Sequence, residues 1–252
     1  MRVVISGASS GIGLALARHY LERGASVAAF ARRGELLQAL AAEFPGKVFC
    51  YTLDVRDAPA IQLAAQDFMA RAGVPDIVIA NAGVSSGTLT EYVEDEELFQ
   101  HVMDINMLGM VKTFQPFLVA MRNARHGTLA GIASVAGFRG LPGGGAYSAS
   151  KAAAISYLES LRVELYGSGV KVVTLCPGYI RTPMTDINPY SMPFILEVDD
   201  AARRMARVIG RGTSFAVVPW QMGMVGWLLR RLPNWLYDRL FAHAPHKPRG
   251  LI

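Results

Sequence analysis

Cysteine and charge are both scarce in this 252-residue chain, which has two cysteines and 18% charged residues against 52% hydrophobic ones. So few cysteines exclude a disulfide scaffold, and so little charge in so apolar a chain excludes intrinsic disorder. Its 25 glycines follow no three-residue period, which excludes a collagen-like rod. Cys50 and Cys176 each stand in an apolar, strand-like run, where they read as structural thiols in a reducing compartment. The five histidines, His19, His101, His126, His243 and His246, lack metal-ligand spacing, so no metal is expected. Residues 1–6, MRVVIS, hold one charge before a glycine-rich turn, so a signal peptide is not expected. The expected location is the cytoplasm. No internal repeat, low-complexity stretch or linker divides the chain, whose length is near the upper limit for a single hydrophobic core.

The positive charge is unevenly placed. Residues 219–252 carry Arg230, Arg231, Arg239, Lys247 and Arg249 against Asp238 alone, which is +4 of the formal +5. The remaining body is nearly neutral and shows no basic stripe on a recognition module, so a nucleic-acid partner is not expected.

What the chain does contain is alternation. Short apolar runs at 2–6, 26–31, 47–53, 76–80, 127–133, 170–176 and 214–219 alternate with helical patterns at 12–23, 34–43, 58–72, 96–122, 146–166 and 199–209. Most of the runs are continuously apolar rather than alternating, as strands are when helices cover both faces of a parallel sheet. The expected fold is α/β: a Rossmann-type, doubly wound, seven-stranded parallel sheet with helices on both faces, followed by a C-terminal helical extension. Residues 1–219 are expected to form the α/β body, and 220–252 a basic, tryptophan-rich extension of the same domain.

The first strand runs into Ser6-Gly7-Ala8-Ser9-Ser10-Gly11-Ile12-Gly13, with a helical pattern after it. Glycines at such a turn let the backbone approach a pyrophosphate whose charge the helix N-terminal amides stabilise. Dinucleotide folds that prefer NAD place an acid at the end of the second strand. This chain has Arg32 and Arg33 there, and two guanidinium groups suit a 2′-phosphate. NADP(H) is therefore expected over NAD(H), with Arg32 as the main contact and Ser9 or Arg33 assisting.

Tyr147 and Lys151 are four residues apart, on one helix face, and Ser134 stands at the end of the fifth strand. A cation near a phenol favours phenolate, so Lys151 is expected to lower the Tyr147 pKa from about 10 toward neutrality. Tyr147 then becomes a candidate general acid or base.

These motifs, together with Asn81-Ala82-Gly83 after the fourth strand, resemble the short-chain dehydrogenase/reductase family in its classical form, over residues 1 to about 219. The resemblance rests on Gly7, Gly11 and Gly13; Asp54 and Val55; Asn81, Ala82 and Gly83; Asn106; Ser134, Tyr147 and Lys151; and Pro177, Gly178 and Thr182. It implies cofactor contacts from the glycine turn with Ser9, Ser10 and Ile12, and from Asp54 and Val55 beside the adenine. It further implies Asn81 in the cofactor cleft, Ile180 with Thr182 on the nicotinamide carboxamide, and Asn106 organising a water in a proton relay with Lys151. Ser6 stands where the family usually has threonine and keeps the hydroxyl. The implied reaction is hydride transfer between nicotinamide and a carbonyl or secondary alcohol. Ser134 would hold the oxygen, Tyr147 would exchange its proton and Lys151 would bind the ribose.

Substrate choice is expected to belong to loops 84–95, 135–145 and 179–198, which supply Phe138, Leu141, Tyr179, Met184, Tyr190, Met192, Phe194 and Ile195. Phe138, Tyr179 and Phe194 are the expected substrate contacts, and few charges accompany them. A mostly apolar pocket is expected, suited to a ketone, aldehyde or secondary alcohol with a hydrophobic body. Two readings of the extension stay open: residues 220–242 rest on an anionic membrane surface, or they cover the cleft or join subunits. The family analogy implies a homo-oligomer. A catalytically silent dinucleotide sensor or scaffold is the competing function, and a lyase or epimerase of the family's extended branch a third. Intact Asn106, Ser134, Tyr147 and Lys151 weigh against the sensor.

Overall fold

The computed structural model describes residues 1–188, 191–244 and 248–250, so Tyr190, His246 and Lys247 lie outside the described residues. Its strands are β1 (Arg2–Ser6), β2 (Ser26–Ala31), β3 (Val48–Thr52), β4 (Ile77–Ala80), β5 (Thr128–Ile132), β6 (Lys171–Pro177) and β7 (Phe215–Val218). They form one parallel sheet in the order β3-β2-β1-β4-β5-β6-β7. All the predicted strands are present, each bound within a residue of its expected place.

Side chains alternate across the strands and so build two cores. Val3 and Ile5 of β1 point to one face, where they meet Leu16 of α1 (Gly11–Leu21), Leu37 of α2 (Gly34–Glu43) and Met205 of α8 (Val198–Arg211). Val4 points to the other, where it joins Phe68 of α3 (Ala58–Ala72), Phe114 of α5 (Gly109–Ala124) and Leu158 of α6 (Gly145–Glu164). Burial on both faces is the reason the inner strands are dominated by aliphatic and small residues, whereas the edge strands β3 and β7 are only partly buried.

Asp57 starts α3 by accepting a hydrogen bond from the Ala60 amide at 3.0 Å, with Pro59 in the first turn, where its missing N–H costs nothing. Gly212 ends α8 in the left-handed region at φ 67°.

One prediction needs correction. The single helix expected over 96–122 is instead α4 (Asp95–Met103), a π-helical turn (Asp104–Leu108) and α5. Apolar spacing continues across the junction, so periodicity does not reveal the change of winding. The wider turn brings Asn106 fully into the interior. At its end Gly109 packs on Val55, whose Cγ2 would lie 2.8 Å from an added Cβ.

Beyond β6 come the short α7 (Pro183–Asp186) and, after β7, α9 (Trp220–Arg231) and α10 (Asn234–Phe241). The expected helical extension is thus present. No helix among the described residues is long and apolar enough to cross a membrane.

Candidate active site

Strand order reverses between β1 and β4, and a cleft of about 280 Å³ opens at the carboxyl ends of these strands. The two strand ends are tied together. Ser6 Oγ accepts from the Asn81 and Ala82 amides at 3.1 and 3.3 Å, and Asn81 Nδ2 donates to the Ser6 and Gly7 carbonyls at 3.1 and 3.2 Å. Asn81 thus locks the glycine turn to the central strand, and the serine hydroxyl at position 6 performs the tie.

The glycines are required by space. Gly7 has φ 70°, and a Cβ there would fall 2.8 Å from Ala82 Cα. A Cβ on Gly13 would lie 2.1 Å from the Gly7 carbonyl oxygen. The turn therefore stays bare backbone, a cradle shaped for a diphosphate at the start of α1. Gly7, Ser9, Ser10, Gly11 and Ile12 line the cleft directly, whereas Gly13 supports it from behind.

Arg32 and Arg33 both line the cleft at the end of β2. Arg33 Nη2 donates to Ser9 Oγ at 3.1 Å and Ser10 Oγ at 2.7 Å, assembling two hydroxyls around one guanidinium. The nearby acid, Asp54, is already engaged: Arg56 grips it through Nε at 3.1 Å and Nη2 at 2.8 Å. That pairing, joined by the charge of Arg32, holds the Asp54 carboxyl below the usual range. This corner of the cleft is consequently electropositive.

Deeper in, the cleft wall contains Ser134, Tyr147 and Lys151, with Asn81, Ala82, Gly83, Asp54 and Val55 on one side and Pro177, Gly178, Ile180 and Thr182 on the other. Ser134 follows β5 and caps the short turn Val135–Gly137 by accepting from the Ala136 amide at 3.1 Å. Gly137 lets that turn press against α6, since a Cβ would lie 2.7 Å from the Lys151 carbonyl carbon. Tyr147 and Lys151 sit on α6, with Lys151 Nζ 5.7 Å from the Tyr147 ring centre.

The electrostatics of the pair differ from expectation. Burial raises the Tyr147 pKa, a hydrogen bond with Ser134 pulls it back, and the predicted lowering by Lys151 is not found. The lysine is itself desolvated, which brings its pKa down to about 8, and its ammonium donates to the Ile132 carbonyl at 2.9 Å. Burial is the largest cause of both shifts, because both groups lie deep in the same recess. Cys176 shares that recess as a neutral thiol, pushed up to about 12 by burial. Cys50, the other thiol, donates to the Leu37 carbonyl.

Asn106 stands behind the cleft wall. Its Oδ1 accepts from the Val84 amide at 2.8 Å, and its Nδ2 donates to the Val84 carbonyl at 2.9 Å and Ser150 Oγ at 3.0 Å. Gly83 fills the gap in front of it: a Cβ there would sit 3.1 Å from Asn106 Oδ1 and 3.5 Å from Lys151 Nζ. The side chain therefore positions the Gly83-Val84 segment beside the lysine. Val84, Ser150 and Ile132 were missed by sequence reasoning because Val84 and Ile132 act through backbone atoms and Ser150 sits inconspicuously between Tyr147 and Lys151. The closeness of Ser150 to the motif was the available signal.

Phe138, Tyr179 and Phe194, the expected substrate contacts, do not line this cleft. The Phe138 ring packs under Gly226 of α9, where a Cβ would meet it at 2.2 Å, and stacks on Phe215. Phe194 is 51% exposed. Tyr179 is half-buried, and its phenol is raised by that burial. Ile180 is buried and Thr182 starts α7, its amide donating to Thr185 Oγ1 at 3.0 Å; Met184 and Thr185 complete that wall. Groups of histidine, cysteine and carboxylate able to hold a metal are absent among the described residues.

Comparison with known proteins agrees with the geometry. Residues 1–189 match the family model of short chain dehydrogenases. An uncharacterized oxidoreductase of Myxococcus xanthus is 39% identical over 238 residues, covering 93% of this chain and 94% of that protein. A 2-dehydro-3-deoxy-L-rhamnonate dehydrogenase (NAD(+)) of a Sphingomonas species is 35% identical over 188 residues, 75% of each chain. Among solved structures, a closed serine dehydrogenase complexed with NADP+ superposes with a TM-score of 0.77 at 28% identity, covering 82% of this chain and 88% of that one. The chain belongs to the short-chain dehydrogenase/reductase family and is an oxidoreductase of that family.

Proposed function

We propose that this protein transfers a hydride reversibly between NADP(H) and the carbonyl or secondary alcohol of a small substrate with a hydrophobic body. The observation that carries the reading is the convergence of Ser134, Tyr147 and Lys151 on the wall of the cleft that the glycine turn opens. The cleft fits a dinucleotide because its floor is bare backbone, its rim offers Arg32, Arg33, Ser9 and Ser10, and its depth holds an ammonium. A bound nicotinamide supplies or accepts the hydride; the protein's residues supply position and a proton.

Lys151 has three donors and uses one on Ile132, leaving two for ribose hydroxyls. Ser134 holds the substrate oxygen beside the Tyr147 hydroxyl. Burial keeps Tyr147 protonated at neutral pH, the form that donates to the oxygen during reduction. Arg32 contacts the 2′-phosphate, with Arg33 and the serine pair assisting, and the acid that would favour NAD is missing from the end of β2. A homo-oligomer is part of the same reading.

Steady-state kinetics with both nucleotides on a panel of aliphatic, steroidal and polar ketones tests it. Tyr147→Phe is expected to lower kcat at least about 100-fold with nucleotide affinity nearly unchanged. The double change Arg32→Ala and Arg33→Ala is expected to erase a preference for NADP. Turnover retained in Tyr147→Phe would overturn the catalytic assignment; no turnover by the parent chain, despite tight nucleotide binding, would favour the sensor.

A further inference from the structure

The extension presents an unusual surface. Helix α9 packs inward through Met222, which lies against Gly178, and through Gly226 on the Phe138 ring. Arg139 fixes its carboxyl end, donating to the Leu229 and Leu232 carbonyls, and reaches Asn234 Oδ1 at 3.0 Å. Tyr237 of α10 is buried beneath that guanidinium and donates to the Gly140 carbonyl at 2.6 Å. Both helices are thus anchored on one face, and the opposite face should be polar.

It is apolar instead. Trp220, Met224, Trp227 and Leu228 recur at helical spacing on the outward side of α9, and Trp235 of α10 lies opposite the buried Tyr237. The three tryptophans are 64%, 57% and 68% exposed, and they are all the tryptophans the chain has. Arg231 lies over the Trp227 ring at 3.9 Å, with Arg230 and Arg239 nearby on the same helices and Asp238 as the single acid between 220 and 241.

We propose that the outer face of α9 and α10 is a docking surface for an anionic lipid bilayer, on which the protein rests without inserting a span. Tryptophans beside arginines suit the headgroup level, where indole rings and N–H groups meet an apolar and a polar medium together. Charge complementarity selects this occupant over a second copy. A two-fold contact through this face would bring the same three arginines of each copy together, whereas anionic headgroups oppose them. Arg249 takes no part, since Asp95 and Glu94 at the start of α4 bind it at 2.9 and 3.3 Å.

The test is co-sedimentation of the full chain with vesicles of phosphatidylcholine alone and of phosphatidylcholine mixed with phosphatidylglycerol, alongside analytical ultracentrifugation. The protein is expected to pellet with the anionic vesicles, with a blue shift of tryptophan emission and release at high salt. Arg230→Gln, Arg231→Gln and Arg239→Gln together should weaken that binding roughly 100-fold. Trp220→Ser, Trp227→Ser and Trp235→Ser together should abolish the pelleting while the melting temperature holds, because the replaced rings face water. Absence of binding to either vesicle overturns the proposal. A dimer that the tryptophan variant dissociates assigns the face to a second copy and overturns it as well.

Discussion

The two ends of this chain are built on opposite plans. At the amino end the cleft is made of backbone that nothing else can replace: Gly7 in a left-handed turn, Gly13 against the Gly7 carbonyl, and Asn81 spending its side chain on the Ser6 and Gly7 carbonyls. At the carboxyl end α9 and α10 are held by a few side chains, chiefly Arg139 and Tyr237, and leave large apolar groups facing water. The first plan gives a rigid shape suited to one ligand. The second gives a pair of helices packed on the body along one face, whose outer composition is free to serve another purpose.

The sharpest way to break this contrast is Gly13→Ala. A methyl group 2.1 Å from the Gly7 oxygen forces the turn apart, so nucleotide affinity by fluorescence titration should fall about 100-fold or more. Unchanged affinity would show that the cradle is softer than its geometry implies.

A second measurement probes the buried ammonium. Lys151 falls to about 8 in the folded chain from 10.5 when exposed, so below about 8 both states are charged and burial penalises the fold. Between about 8 and 10.5 the folded state has shed its proton while the unfolded state keeps it, and stability rises with pH. Urea denaturation of the parent chain relative to Lys151→Met should therefore show the parent gaining up to about 3 kcal/mol across that window. Parallel curves would contradict the desolvation.

The smallest effect is expected at the other end. Arg139→Ala removes the donors that hold α9 and α10, costing about 2 kcal/mol of docking. Limited proteolysis within 220–241 should quicken roughly 30-fold at that cost, with nucleotide affinity unmoved. Equal losses in both would mean the two regions are one cooperative unit.

Much of the nucleotide half was legible in the sequence. The strands announced themselves as apolar runs, because burial on both faces leaves no room for polar alternation, and Gly7, Gly11, Tyr147 and Lys151 stood at spacings that geometry makes meaningful. The π-helical turn around Asn106 was not legible, since it alters winding without altering the apolar pattern. Nor were the Val84, Ser150 and Ile132 contacts, two of which are made by main-chain atoms that every residue type carries. The loop position of Phe138 did not reveal that the extension, about 90 residues away in sequence, packs Gly226 against its ring.

By itself, then, the sequence determined the parallel α/β sheet, the glycine turn and the residues able to carry a proton, because local sterics, burial periodicity and helical spacing act over short stretches of chain. Only the tertiary structure decided that Arg33 gathers Ser9 and Ser10, that Lys151 is desolvated, and that three tryptophans face outward. Each of those depends on which distant segments come together, and burial, pairing and exposure have no value until they do.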